Sequence, residues 1–205
     1  LGDVYKRQVY VYTQNMSGNG WQVFGSNKSG GSKLLNAYAV CAKNIAGASV
    51  QQVFQQTTVP ANSNGNVSVS CPGGTTLVGG GYASKSDHTL KVYNSTKKDN
   101  GWQVYATNSI ASGQLLNAYA ICLSSTNSAS SSMVFEGVNI SAGASDGTNS
   151  VCGSGWGTGG GFALQTGLDV YNLSPNEYNS WEAYAYNSSG STKLMNVYTV
   201  CLTFN

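Results

Sequence analysis

Three segments of this chain are close copies of one another. They read NGWQVFGSNKSGGSKLLNAYAVC from Asn19 to Cys41, NGWQVYATNSIASGQLLNAYAIC from Asn100 to Cys122, and NSWEAYAYNSSGSTKLMNVYTVC ending at Cys201. Trp21, Trp102 and Trp181 recur at nearly even steps, and the distance from each to its closing cysteine (Cys41, Cys122, Cys201) is the same. Similarity at a fixed period means one structural unit used repeatedly. A period of roughly 80 is too long for a solenoid repeat and suits a small domain. The copies also agree upstream of the tryptophan, where VYVYT from Val9 aligns with LKVYN from Leu90 and LDVYN from Leu168. The chain therefore divides into residues 9–43, 50–123 and 131–205. The match begins only at Val9, so the first copy is expected to be the C-terminal half of a truncated module. Residues 1–8, LGDVYKRQ, carry Asp3, Lys6 and Arg7 in a chain otherwise poor in charge. They read like translated adapter sequence at the end of a metagenomic fragment, the alternative being a genuine N-terminal arm, and are set aside from fold reasoning.

The second copy shows what the unit is. Six runs have strand composition or alternation: 50–59, 67–71, 75–83, 89–94, 102–108 and 115–123. Clusters of Gly, Asn, Ser and Pro separate them, and no window repeats with a helical period. The expectation is an all-β chain of tandem small disulfide-linked β-sandwich or small-barrel modules, about six strands each. An immunoglobulin topology does not fit. That fold sets its tryptophan on a strand close after the first cysteine, whereas Trp102 is remote from Cys71 in the chain and lies nearer to Cys122.

Five cysteines leave one over. Pairing within each copy gives Cys71–Cys122 and Cys152–Cys201, and leaves Cys41 without the partner that a complete first module would supply. The rival pairing, Cys41–Cys71 and Cys122–Cys152, has two equal spacings and strands Cys201 instead. The first is preferred because it makes each copy self-contained. A zinc site is disfavoured, since no two cysteines stand close enough for a zinc knuckle and the chain holds one histidine. Disulfides imply an oxidising compartment.

Composition narrows the function classes. Charged residues make up only 9% and the net charge is +2, with no basic stripe, so no nucleic-acid footprint is read. No apolar run is long enough to insert in a membrane as a helix. The carboxylates Asp3, Asp87, Asp99, Glu136, Asp146, Asp169, Glu177 and Glu182 recur at no shared position, and His88 stands alone in a turn region. No acid–base pair, catalytic triad, repeated calcium ligand set or cofactor motif emerges. The triple glycine Gly79-Gly80-Gly81 lies within a strand with no helix or Lys-Ser/Thr after it, so a phosphate loop is excluded. Close backbone approach is the better reading, with packing against Trp102 or Trp181 as one cause.

The recurring aromatics are the candidate functional feature. Trp21, Trp102 and Trp181 share strand parity with Val23, Val104 and Ala183 and are read as core. Phe24, Tyr105 and Tyr184 fall on the opposite face. Tyr38, Tyr119 and Tyr198 have opposite parity to the closing cysteine and share a face with Asn36, Asn117 and Asn196. Tyr105, Tyr119, Asn117, Tyr184, Tyr198 and Asn196 thus make a candidate strip for stacking on sugars or meeting a partner chain. The alternative is that some of these tyrosines belong to a second inner face. Asn27, Asn108 and Asn187, each at the same step after a Trp, read as turn formers. Seven Asn-x-Ser/Thr sequons, among them Asn15 and Asn187, are expected by chance in so Ser- and Asn-rich a chain.

The pattern Cys71-Pro72-Gly73-Gly74, Gly79-Gly80-Gly81, Gly101-Trp102, Tyr119-Ala120-Ile121-Cys122 resembles a module of secreted bacterial surface proteins, found in tandem or beside collagen-like segments. The third copy departs from it with Gly153 after Cys152, Glu182 after Trp181, and Tyr198-Thr199-Val200-Cys201 at its end. The resemblance implies secretion, surface association and no catalytic residues. The expected function is a non-catalytic structural or adhesive protein, extracellular or on a cell surface, whose partners are glycans or further copies of itself. The alternative is a lectin-like module, attached to an enzyme upstream.

Overall fold

The computed structural model describes residues 9–84, 89–177 and 179–204. It contains β1 (Val9–Ser17), β2 (Gly20–Asn27), β3 (Ser49–Val59), β4 (Asn64–Ser70), β5 (Thr76–Ser84), β6 (Leu90–Lys98) and β7 (Gly101–Asn108). There follow β8 (Gln114–Ser124), β9 (Ala129–Ile140), β10 (Ser145–Val151), β11 (Trp156–Leu164), β12 (Leu168–Asn176), β13 (Ser180–Asn187) and β14 (Lys193–Phe204). The expected six strands per complete copy are present as β3–β8 and β9–β14. Asp3, Asp87 and His88 lie outside the described residues.

Each complete copy is a sandwich of two three-stranded layers. In the second copy the layers run β3-β8-β5 and β4-β7-β6, and in the third β9-β14-β11 and β10-β13-β12. Period-two alternation explains the packing. Trp102, Val104 and Ala106 face inward from β7, and Ala118, Ala120 and Cys122 face inward from β8, all 1% exposed or less. Small alanines opposite a large indole let the layers close. Cys71 follows β4 and bonds to Cys122 of β8, so the bridge ties one layer to the other. Cys152–Cys201 repeats it, and Cys41 is free and exposed. The rival pairing between copies is not formed.

The copies are joined through their sheets. Strand β1 pairs with β5 at Thr13↔Ala83 and Gln14↔Tyr82, and β6 pairs with β11 at Asn94↔Ala163 and Ser95↔Phe162. The two contacts are the same interface displaced by one repeat. They merge the layers into a five-stranded sheet β2-β1-β5-β8-β3 and a six-stranded sheet β4-β7-β6-β11-β14-β9.

The glycine triplet sits where these contacts converge, and each glycine has its own neighbour. A Cβ on Gly80 would enter the Trp102 indole and approach the Tyr119 carbonyl oxygen to 2.6 Å. Gly160 meets Trp181 in the same way. The expected packing of glycine against tryptophan thus holds for the middle member. A Cβ on Gly81 would strike the Gln14 carbonyl of the preceding copy, and one on Gly161 the Ser95 carbonyl. Gly159 lies against Gly79 of the neighbouring copy, its Cβ position 2.6 Å from the Gly79 Cα.

Burial of the tryptophans is uneven. Trp102 is 1% exposed, and its indole Nε1 donates to Ser95 Oγ at 2.9 Å. Trp21 and Trp181 are only half-buried, less than a core assignment expects. In the third copy the Ser95 position is Leu173, as the registers Ser95↔Val104 and Leu173↔Ala183 show. The Trp181 Nε1 accordingly has no hydrogen-bond partner. A Ser95→Ala variant is expected to lose about 1–3 kcal/mol, since it leaves the Trp102 N–H buried and unpaired. Urea unfolding followed by tryptophan fluorescence measures it.

The segment from Leu34 to Val40 differs from its copies. It forms no strand, and Leu34 is 83% exposed where its counterparts lie within β8 and β14. Strand β8 is flanked by β3 and β5, and β14 by β9 and β11. Among the described residues no strand flanks 34–40 in this way, so a sequence of strand type has no ladder to join.

Candidate functional site

Outward-facing aromatics form two repeated pairings. On the hairpins, a tyrosine at a β-bulge meets the aromatic three places after the tryptophan. The pairs are Tyr12–Phe24 at 6.3 Å, Tyr93–Tyr105 at 6.1 Å and Tyr171–Tyr184 at 6.3 Å between ring centroids. The ladders skip Tyr12, Tyr93 and Tyr171, which marks the bulge in each copy. On the other layer, Phe54 stands directly opposite Tyr119 at 5.9 Å and Phe135 opposite Tyr198 at 5.8 Å. Phe54 is 59% exposed and Phe135 65% exposed. Offset pairs of this kind add to sheet stability and leave ring faces open to solvent.

The six residues of the expected strip do not make one surface. Tyr105 lies on the layer β4-β7-β6 and Tyr119 on the layer β3-β8-β5, whose inner faces meet in the core. The strip is therefore two faces on opposite sides of the sandwich. Tyr184 and Tyr198 are separated in the same way. Asn117 does accompany Tyr119, donating from Nδ2 to the phenol oxygen at 3.4 Å, and Asn36 donates to Tyr38 at 3.3 Å. Asn196 keeps the corresponding place on β14, beside Gly137 of β9. Phe54 and Phe135 escaped sequence reasoning. They stand one repeat apart in the shared dipeptide Val-Phe, which was the signal available.

The recurring asparagines do more than form turns. Asn108 is 1% exposed and donates from Nδ2 to the carbonyls of Val59, Pro60 and Ser112 at 2.8–3.1 Å, while Ile110 N–H donates to its Oδ1. Asn187, fully buried, donates to the Ile140 and Ser191 carbonyls and accepts from Ser189. Each therefore pins the loop before the closing strand to the end of the first strand. Buried Asn187 is no glycan acceptor in the folded chain. Asn108→Ala is expected to cost about 3 kcal/mol, because it orphans several buried backbone groups at once. Accelerated amide exchange at 109–113 and a lowered thermal midpoint check it.

Titratable groups are dispersed. Glu182 accepts from Asn172, Ser174 and Asn176 at 3.1–3.3 Å, in the place where Gln103 donates to Thr96 and Gln22 to Asn15. It is a charged version of a structural polar pair. Asp169 pairs with Lys91 at 2.5 Å across the boundary between copies. Burial raises the Tyr93 phenol, with Tyr105 adding to the effect, and burial raises Tyr82 further. These phenols stay protonated at neutral pH. Burial lowers Lys97, against the opposing pull of Asp99. Among the described residues no group of three His, Cys, Asp or Glu side chains gathers as a metal site, and no helix is long and apolar enough to cross a membrane.

What the arrangement offers chemically is ring faces with amide neighbours, repeated along a rigid β scaffold. Comparison with protein-family models, curated proteins and solved structures returned no match to the chain.

Proposed function

We propose that the chain is a structural or adhesive protein of an extracellular or cell-surface setting, non-catalytic and built of tandem β-modules. The observation that carries this reading is the strand pairing between copies, β1 with β5 and β6 with β11, at one repeated register. It joins small units into one larger rigid body, which is what a spacer or adhesive scaffold requires. The two disulfides agree with an oxidising compartment. The resemblance to modules of secreted bacterial surface proteins points the same way.

A second reading is carbohydrate binding. The pairs Phe54–Tyr119 and Phe135–Tyr198, each beside an asparagine, favour it. A glycan array run beside sedimentation over a range of concentrations separates the two. The structural reading expects no sugar signal and concentration-dependent assembly. A sugar-specific signal abolished by Phe54→Ala and Phe135→Ala, without assembly, would replace it with the lectin reading.

A further inference from the structure

We infer that the cleft between β12 and residues 34–40 is a strand-accepting site. Its occupant is a polypeptide segment of the kind formed by β3–β5, with a glycine-triplet strand at its centre.

The repeat defines the site. Strand β5 lies between β1 and β8, and β11 lies between β6 and β14. In both places a glycine-triplet strand is flanked by the hairpin of the preceding copy and by the closing strand of its own copy. The third such place has both flanks and, among the described residues, no central strand. Its hairpin strand is β12, the outermost member of the order β10-β13-β12. Its closing segment is 34–40, which has nearly the sequence of β8 and, among the described residues, pairs with no strand. The two flanks border one cleft of about 500 Å³, lined by Leu34, Leu35 and Tyr38 on one side and Val170, Asn172 and Leu173 on the other.

Equivalent residues from all three copies meet at this cleft. Val11, Val92 and Val170, each preceding a bulge tyrosine, all line it, as do Tyr82 and Phe162. Lys91 and Asp169, which form the ion pair, occupy equivalent positions too. The cleft therefore gathers an equivalent position from each copy.

The chemistry of the occupant follows from the two filled sites. It needs glycine where its backbone meets the Leu173 carbonyl, as Gly81 meets Gln14 and Gly161 meets Ser95. It needs an aromatic next, to join Tyr82 and Phe162, whose rings meet edge to face at 6.4 Å. It needs a cysteine upstream, within reach of Cys41, because Cys41 stands where Cys122 and Cys201 take Cys71 and Cys152. A second folded copy does not meet these needs, since its own β5 and β11 are engaged.

The test uses the full chain and a synthetic peptide with the sequence of residues 49–84, carrying serine at position 71. Amide hydrogen exchange is read with and without it. Residues 34–40 and 169–173 are expected to gain at least tenfold protection, and a peptide with valine in place of Gly79, Gly80 and Gly81 is expected to give none. Protection elsewhere, no protection, or equal protection by the valine peptide overturns the inference. So does self-association of the chain that covers the same residues. Should the peptide aggregate, residues 49–89 are grafted directly ahead of Val9 in place of residues 1–8. Refolding in glutathione buffer is then expected to join Cys41 to the grafted cysteine, as the two thiols are oxidised and glutathione disulfide is reduced to two glutathiones. A grafted chain in which 34–40 exchange as fast as before overturns the inference. Apart from self-association, which the structural reading also expects, none of these outcomes depends on sugar binding or adhesion, so the functional reading stands or falls separately.

Discussion

A chain carrying Cys71→Ala and Cys122→Ala together is expected to lose roughly 4 kcal/mol of stability. The bond joins the two layers of the second sandwich across a sequence separation of 51. Without it the unfolded chain regains the freedom of that loop, and a small core has little else to offset the loss. A drop of about 8–16 °C in thermal midpoint corresponds to this loss for a chain of such length. Calorimetry of the double variant beside the parent decides it. An unchanged midpoint would mean that packing around Trp102 alone holds the layers together.

Gly80→Ala is expected to be nearly as damaging, at about 3 kcal/mol or more. The added methyl has no place to go. On one side it meets the Trp102 indole, and on the other the Tyr119 carbonyl oxygen, which belongs to a paired central strand. An indole could move only by leaving Ser95, and the carbonyl only by breaking the β5–β8 ladder. Gly73→Ala is the matching control, because a Cβ there meets nothing within 4 Å. Guanidinium unfolding of the two variants should separate them clearly, and equal stabilities would contradict the packing described.

Much of this fold could be read from residues alone. Keeping each copy self-contained pointed to the pairing that forms. Period-two alternation placed Trp102, Val104 and Cys122 on inner faces. Other features were out of reach because they depend on what a strand lies beside. Alternation says that Tyr105 and Tyr119 both face outward, but not that β7 and β8 belong to opposite layers. Leucine at 173, the same step after Tyr171 as Ser95 is after Tyr93, was visible, yet its effect, an indole N–H without an acceptor, needed the hairpin register. Residues 34–40 repeat the β8 sequence almost letter for letter. They show that strand composition does not make a strand where no neighbour supplies hydrogen bonds.

The aromatic pairs were half legible. Tyr119 and Tyr198 stood out by recurring three residues before the closing cysteine. Their partners Phe54 and Phe135 sit in runs that otherwise share little, and cross-strand pairing is what makes them significant.

The glycine triplet has a consequence for how the chain melts. Its three members answer to three bodies: Gly80 to the tryptophan of its own copy, Gly81 to the copy before, and Gly79 to the copy after. Strand β5 cannot leave its place without loosening both neighbours. In repeat proteins, strong nearest-neighbour coupling turns a row of separately melting units into one cooperative block. A single calorimetric transition is therefore expected for residues 49–204, with calorimetric and van't Hoff enthalpies in agreement. Two resolved transitions would show that adjacent copies, although they share a sheet, unfold as strangers.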